Sequence, residues 1–162
     1  MPDTLLKLDG ITCRFGDLVA VDGLSLRLRH GEIGCLLGPS GCGKTTVLRA
    51  IAGFEPIRAG TIHLAGREIA SPARRLPPDR RGVGMVFQDY ALFPHLTAGQ
   101  NVAFGLRGRP RRERLAVAAH LLDLVGLGGL DDRYPHELSG GQQQRVAVAR
   151  AVAPRPRLVL MD

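Results

Sequence analysis

The stretch from residue 38 to residue 46 combines glycines, a lysine and threonines at the spacing of a phosphate-binding loop. It reads Gly38-Pro39-Ser40-Gly41-Cys42-Gly43-Lys44-Thr45-Thr46, a glycine, four spacers and then Gly-Lys-Thr. The glycines let several backbone N–H groups point at one cluster of oxygens. Lys44 can reach the β- and γ-phosphates of a nucleotide, and the Thr45 hydroxyl can hold Mg²⁺. These residue types predict a site for a nucleoside triphosphate with Mg²⁺.

The segments on either side of the loop test this interpretation. Residues 33–37 form an apolar run that predicts a buried strand, and residues 47–53 predict a helix that ends at a glycine. Such a helix points the positive end of its dipole at the bound phosphate. The alternative is a glycine-rich turn between strand and helix with a chance lysine. Both flanks are of the right type, which favours the phosphate site.

Further strands are predicted from apolar alternation and short apolar runs. Residues 5–12 and 24–29 predict strands, and residues 60–69 predict a hairpin that turns at Ala65-Gly66. Residues 83–87 predict a strand with Gln88 at its end. Residues 157–162 predict another, which ends in Asp162. In an open α/β sheet, ligands bind at the carboxyl ends of strands, so Gln88 and Asp162 are expected beside the phosphate loop.

The second half of the sequence is expected to be mostly helical. Residues 111–127 carry apolar residues at helical spacing, and residues 143–153 predict a second helix with Ser139 or Gly140 as its N-cap. Residues 71–81, rich in proline and arginine, predict a surface loop. Residues 89–106 show an irregular pattern that Pro94 and Gly99 break.

Length and charge limit the possible classes. A chain of 162 residues suits one domain, and no apolar run approaches the ~20 residues of a membrane helix. The formal net charge is +7, with arginine clustered at 74–75, 80–81 and 107–114. Such clusters can bind nucleic acid or acidic membrane surfaces. No aromatic residues interleave with them for base stacking, so a solvated basic surface is favoured and no nucleic-acid partner is expected.

Four motifs together give the chain a family resemblance. They are the phosphate loop, Gln88 at a strand end, Leu138-Ser139-Gly140-Gly141-Gln142, and an apolar strand that ends in Asp162. In this order they resemble an ABC transporter ATPase. The pentapeptide is the specific part, because other phosphate-loop families, including kinases, lack it.

The resemblance implies a role for each matching residue. Phe15 matches the aromatic that stacks on adenine, although a core residue covering a turn is the alternative. Gln88 matches the residue that meets Mg²⁺ and the attacking water, and Asp162 matches the Walker B acid that holds Mg²⁺. The signature residues match those that contact the γ-phosphate on an opposite subunit: Ser139, Gly140, Gly141 and Gln142. The implied catalytic residues are Lys44, Gln88 and Asp162, the implied metal-binding residues are Thr45, Gln88 and Asp162, and the cofactors are ATP and Mg²⁺.

The resemblance also implies the fold and the assembly. The expected fold class is α/β, a P-loop NTPase core with an N-terminal antiparallel β subdomain and an inserted helical subdomain. The expected parts are residues 1–88, residues 89–153 and a returning core strand at 154–162. Two copies would meet head to tail around ATP, and residues 89–106 would dock transmembrane permease subunits that a substrate-binding protein serves. The expected location is peripheral, on the cytoplasmic face of the cell membrane.

The match stops at Asp162, where the family continues with a catalytic glutamate. This chain is therefore expected to be truncated, with weak nucleotide binding and little turnover of its own. A fragment that binds ATP without hydrolysing it is one alternative function. A soluble ABC ATPase of DNA repair or translation is another, although such proteins usually carry large insertions that this compact sequence lacks.

The transported substrate is inferred from two segments. Residues 52–55 and 133–138 look most like those of ferric-iron importers. Residues 81–97 and 101–106 resemble the wider importer branch for iron, polyamines, sulfate and sugars. Ferric iron is therefore the expected cargo, and polyamine, sulfate or sugar import is the alternative.

Overall fold

The computed structural model of the protein describes residues 4–106 and 108–162. These residues form two compact units. The first runs through Val83 and also includes Asp162, and the second spans Gly84–Met161. Arg107, the first residue of the predicted basic run, lies outside the described residues. The predicted division of the chain after residues 88 and 153 stays a prediction.

A five-stranded antiparallel sheet dominates the first unit. Its spatial order is β2-β1-β3-β4-β5, and each neighbouring pair is antiparallel. The strands are β1 (Thr4–Phe15), β2 (Leu18–Arg29), β3 (Ala59–Leu64), β4 (Arg67–Ser71) and β5 (Arg74–Arg75). The predicted hairpin is confirmed, since β3 and β4 join through Ala65 and Gly66, both at positive φ. Strands β1 and β2 are longer than predicted, because each continues to a tight turn at residues 16–17.

Helix α1 (Lys44–Ala52) follows the phosphate loop, as predicted. It contacts β1 and β2 and buries Val47, Ala50 and Ile51. It ends at Gly53, whose φ of 97° is the left-handed conformation that favours glycine. The phosphate loop is therefore held between a strand pair and a helix with a buried face.

The predicted buried strand at residues 33–37 is wrong. This segment joins no strand, and its apolar side chains are open: Ile33 is 99% exposed and Leu37 is 88% exposed. A strand needs a neighbour that completes its hydrogen-bond ladder. Among the described residues, β6 pairs with β7, and the five-stranded sheet ends at β2 and β5. An apolar run predicts burial only when such a neighbour is present.

The predicted surface loop at residues 71–81 is also partly wrong. It contains β5, a 3-10 turn at Pro78–Arg80, and two buried residues, Leu76 and Arg81. Arg81 is only 3% exposed, although arginine in a proline-rich stretch usually indicates a surface. Backbone carbonyls supply its partners, and a local pattern cannot reveal them.

The second unit is mainly helical. It contains β6 (Val83–Val86), α2 (Ala98–Ala103), α3 (Arg111–Leu124), α4 (Gly140–Val152) and β7 (Leu158–Met161). The core is shared by the three helices and includes Val102, Leu122 and Val146, each fully buried. Helix α2 lies inside the stretch predicted to be irregular. Its signal was Thr97, whose side chain and that of Gln100 form a capping box at the helix start.

No helix among residues 4–106 and 108–162 is both long enough and apolar enough to span a bilayer.

Candidate functional site

The phosphate loop is closed around the side chain of its own lysine. Lys44 Nζ donates hydrogen bonds to the carbonyl oxygens of Gly38 at 2.8 Å and Pro39 at 2.7 Å. The same nitrogen lies 3.6 Å from Cys42 Sγ. Each partner lies within 6 residues of Lys44 in the sequence, so the loop wraps around the ammonium group. This places a positive charge at the centre of the loop, where an anion would bind.

Helix α1 begins at Gly43 without a side-chain cap. Gly43 has φ 91°, and a Cβ there would fall against the carbonyl oxygen of Ala20 on β2. Only glycine adopts this φ readily and also lacks the Cβ that would clash with the carbonyl oxygen. The first turn of α1 contains no acidic residue, and no side chain accepts from its N–H groups. The positive helix terminus thus retains backbone donors for an anionic ligand.

Thr45 and Asp162 meet although they are far apart in the sequence. Thr45 Oγ1 donates to Asp162 Oδ1 at 2.7 Å, across a separation of 117 residues. Thr45 is the second residue of α1, and Asp162 directly follows β7. The first unit therefore brings Lys44, Thr45 and Asp162 together. Local spacing could predict each residue type but not this contact.

The Thr45–Asp162 pair has the chemistry of a Mg²⁺ site. Mg²⁺ prefers oxygen ligands and is usually held by one or two protein groups together with water and phosphate oxygens. A hydroxyl and a carboxylate within hydrogen-bond distance supply such oxygens. Among the described residues, no cluster of three or more His, Cys, Asp or Glu offers a metal site of another kind. The donor set therefore fits the metal that the motifs imply.

Phe15 is the last residue of β1, directly before the turn to β2. Its ring is 46% exposed. An open aromatic face can stack on a base. The ring therefore does not bury itself as a core residue would, and its adenine role stays a prediction.

Gln88 lies in the second unit, exposed in a turn after β6. Tyr90 and Ala91 follow it at φ 61° and 45°, values that are uncommon for residues with a Cβ. Arg150 of α4 donates to the carbonyl oxygens of Tyr90 at 2.7 Å and Ala91 at 2.6 Å. Burial lowers the pKa of Arg150. Sequence patterns did not indicate this arginine, which holds the turn after Gln88 in a strained conformation.

The segment from Ser139 to Gln142 forms the start of helix α4. Ser139 is the N-cap: its Oγ accepts from Gln142 N at 3.3 Å, and Gln142 Oε1 accepts from Ser139 N at 2.8 Å. Of the two residues predicted as the N-cap, Ser139 and Gly140, Ser139 is therefore the cap. Gly140 and Gly141 are exposed, and a Cβ on either would meet no atom within 4 Å. The packing of the described residues does not require glycine at these positions.

Arg81 is a site-supporting residue that sequence reasoning missed. Its guanidinium donates to the carbonyl oxygens of Ala50, Ile51 and Leu76 at 2.8–2.9 Å. Burial, followed by the nearby charge of Arg75, lowers the pKa of Arg81 to about 10. The group therefore stays charged at neutral pH. It binds the carbonyl end of α1, where the helix dipole is negative, and so fixes the helix that carries Lys44 and Thr45.

Two amides in the second unit were also missed. Asn101 is fully buried and donates to the carbonyl oxygens of Phe93, Leu96 and Thr97, while its Oδ1 accepts from Phe93 N. Gln143 Nε2 donates to Pro135 O and Leu138 O and so fixes the segment before Ser139. A buried asparagine cannot be recognised from apolar periodicity, because polar residues are expected on the outer face.

Comparison with known proteins gives the family. The sequence profile of the family described as ABC transporter matches residues 21–162. The sulfate/thiosulfate import ATP-binding protein CysA 2 of Chromobacterium violaceum is 52% identical over 160 residues, 97% of this chain and 42% of that protein. The spermidine/putrescine import ATP-binding protein PotA of Acidothermus cellulolyticus is 56% identical over 151 residues, which cover 92% of this chain and 38% of that protein. The Fe(3+) ions import ATP-binding protein FbpC of Streptomyces coelicolor is 49% identical over 164 residues, which cover 100% of this chain and 46% of that protein.

A solved structure shares the fold. A dimeric ATP-binding cassette in a post-hydrolysis state, bound to ADP and Pi, superposes with a TM-score of 0.85 at 33% identity, covering 98% of this chain and 73% of that one. The predicted α/β fold class is confirmed by this match. The chain spans less than half the length of these curated relatives. On the profile match, the relatives and the fold, the chain belongs to the ABC transporter family.

Proposed function

We propose that this chain is the ATP-binding part of an import ATPase that hydrolyses ATP in a pair of copies. The observation that carries the proposal is the 2.7 Å contact of Thr45 with Asp162, beside the uncapped start of α1. Two oxygen ligands and a free helix terminus at one place suit a phosphate chain with its metal. The 33% identical cassette is described as bound to ADP and Pi, which supports the same ligand class here.

The proposed roles of the residues follow from the family motifs that they match. Lys44 exchanges the carbonyls of Gly38 and Pro39 for phosphate oxygens, and backbone N–H groups of residues 40–46 bind the remaining oxygens. Thr45 and Asp162 would hold Mg²⁺, which when bound neutralises charge that develops on the phosphates. Gln88 orients the attacking water, and Phe15 stacks on adenine.

The second copy would complete the site through the start of its α4. Ser139, Gly140 and Gly141 are exposed, and the space beside both glycines is open. Gln142 and the Ser139 cap hold this turn in place before a partner arrives. A rigid glycine-rich helix start can approach the terminal phosphate of the other copy closely. The division into residues 1–88, 89–153 and 154–162 is proposed on the same family pattern.

Nucleotide binding tests the site. We expect purified protein to bind a fluorescent ATP analogue more tightly with Mg²⁺ than with EDTA. Asp162→Asn and Thr45→Ala should each remove most of this metal dependence, while Lys44→Ala should weaken binding in either condition. Asp132→Asn, at an exposed carboxylate outside the site, is the matched control. Metal-dependent affinity that survives Asp162→Asn would contradict the proposed role of the pair.

For the cargo we propose ferric iron, which a periplasmic or extracellular substrate-binding protein delivers to the permease subunits while this chain acts at the cytoplasmic face of the membrane. Support comes from residues 52–55 and 133–138, which resemble iron importers, and from a relative named for Fe(3+) import at 49% identity. Relatives named for sulfate/thiosulfate and spermidine/putrescine import are equally similar, so these two are the competing cargoes.

Uptake distinguishes the three cargoes. Cells that carry the full-length protein with its own permease would be given labelled ferric iron, spermidine or sulfate. We expect only iron uptake to fall when Lys44 is replaced by alanine. Loss of spermidine or sulfate uptake instead would reassign the cargo and leave the proposed ATP site intact.

A further inference from the structure

A cavity on the five-stranded sheet, lined by residues outside the phosphate loop, has the composition of an anion site. It has a volume of about 520 Å³, and its lining includes Lys7, Arg27, His30 and His63. No carboxylate of residues 4–106 or 108–162 lines it. Small-molecule sites typically enclose several hundred cubic ångströms and carry a few convergent polar groups. Here the convergent groups are all nitrogen bases.

The strand register puts three of these side chains in one row. Lys7 on β1 is paired with Arg27 on β2 and with His63 on β3. Paired residues on neighbouring strands lie on the same face of a sheet, and like charges placed opposite each other are destabilising. The sheet thus bears a cationic row that costs stability. A bound anion would offset this cost.

Two carboxylates lie next to the row without lining the cavity. Asp9 accepts from Lys7 Nζ at 2.6 Å, and Glu68, which is paired with His63 on β4, accepts from Ser71 Oγ at 3.0 Å. The pKa of Asp9 is lowered by its hydrogen bond with Lys7 and then by the charge of Lys7, with smaller contributions from Arg27 and His63. Asp9 therefore compensates mainly the charge of Lys7 and leaves the cavity lined by basic side chains.

Two groups of the row are without partners of their own. His63 Nδ1 is buried and makes no hydrogen bond within the described part of the chain. The Arg27 side chain is exposed and makes no hydrogen bond or ion pair among residues 4–106 and 108–162. A buried ring nitrogen without a partner has a cost of its own.

We propose that this cavity binds a phosphate-bearing anion through Lys7, Arg27, His30 and His63. A planar guanidinium, an ammonium and imidazoles offer several N–H donors, which match the oxygens of a phosphate group. The volume exceeds that of a single phosphate ion, so a phosphate ester or an oligophosphate fits best. Within the described part of the chain, the two histidines are the aromatic residues that line the cavity, so base stacking is not part of the proposed recognition.

NMR of the histidine side chains tests the proposal without interference from the phosphate loop. Pyrophosphate would be added to the protein, with sodium chloride at equal ionic strength as the reference. We expect saturable shifts of the His30 and His63 resonances, with affinity about tenfold weaker in Arg27→Gln, since a charge-assisted hydrogen bond is removed. The Arg27 side chain makes no hydrogen bond or ion pair with a described residue, so its replacement should disturb the fold little.

Two control variants test whether the histidine shifts report on binding in this cavity. Arg74→Gln, at an exposed arginine on β5 of the same sheet, and Lys44→Ala, in the phosphate loop, should leave the histidine shifts unchanged. Vesicles that contain phosphatidic acid form a second arm: if they produce the shifts, the ligand is a lipid headgroup, and if only pyrophosphate does, it is a soluble phosphate. The proposal is wrong if neither probe moves the resonances, if chloride moves them equally, or if Arg27→Gln has no effect.

Discussion

Helices α1 and α4 both begin in glycine-rich segments, yet their N-termini are built differently. Helix α1 starts at Gly43 with no side-chain cap. Helix α4 starts at Ser139 with a complete capping box from Ser139 and Gln142. An uncapped terminus leaves backbone donors for a ligand, whereas a capped one uses side chains to satisfy them. The first is therefore built to bind an anion directly, and the second to present a preformed, rigid turn.

The other parts of the two helices are held by arginines. Arg81 binds the carbonyl end of α1, and Arg150, near the end of α4, binds the turn after Gln88. Both guanidiniums find backbone carbonyls rather than carboxylates. Helix α1 has no side-chain cap at its N-terminus, and the bonds of Arg81 fix its C-terminal end. The following predictions test this division between a binding end and an anchored end.

Replacing a glycine at the start of each helix, Gly43 before α1 and Gly141 in α4, should have opposite results. Gly43→Ala puts a Cβ at φ 91° against the Ala20 carbonyl, and we expect a loss of about 4 kcal/mol in unfolding free energy together with weaker ATP binding. Gly141→Ala has open space, and we expect a gain of up to about 1 kcal/mol. Urea unfolding measures both. A similar cost at both positions would contradict the proposed difference.

Removing the anchor of α1 should be the next largest effect. Arg81→Met leaves three buried carbonyl oxygens without their donor, at a cost of about 3 kcal/mol in unfolding free energy. The neighbouring Arg80 is exposed, so Arg80→Met is the control and should change stability little. Equal effects in a urea titration would mean that the buried bonds are not what fixes α1.

The cap of α4 should contribute less to the free energy of unfolding than either Gly43 or Arg81. Ser139→Ala removes the hydroxyl that accepts from Gln142 N, and we expect a loss of about 1 kcal/mol. Ser40→Ala in the phosphate loop is the matched control, since the Ser40 hydroxyl makes no hydrogen bond with another described residue. Thermal unfolding followed by circular dichroism would measure both changes. If Ser40→Ala cost as much, the cap would not be the cause.

The smallest effect concerns the turn before α4. Glu137 accepts from Tyr134 N and from Arg133, and these bonds, in that order, hold its pKa below the ordinary value of 4.5. A carboxyl with a lowered folded-state pKa contributes stability above its unfolded pKa and loses it as the pH falls through the folded value. The stability difference between the wild-type protein and Glu137→Gln should therefore be constant near neutral pH, begin to fall near the unfolded glutamate pKa of about 4.3, and disappear once the pH is below the lowered folded pKa. A difference that persists there would point to packing instead.

The strands and helices that the sequence predicted correctly are those with a local signal. The alternation in β1 and β2, the Ala65-Gly66 turn and the helical spacing in α3 all lie within a few residues. Helix α2 was missed because proline and glycine suggested irregular structure, although the Thr97–Gln100 capping box was present. Residues 33–37 were predicted to be buried because an apolar run does not reveal whether a pairing strand lies beside it.

The sequence alone determined which chemistry is available: the glycines and Lys44 of the phosphate loop, the pentapeptide at 138–142, and an acid at Asp162. Only the tertiary structure decided which of these groups meet. It brought Thr45 to Asp162, buried Arg81 against the end of α1, and aligned Arg27, Lys7 and His63 in one row. The physical reason is that residue type and close spacing act within one turn or strand. Contacts between distant residues depend instead on strand register and on where chain segments return.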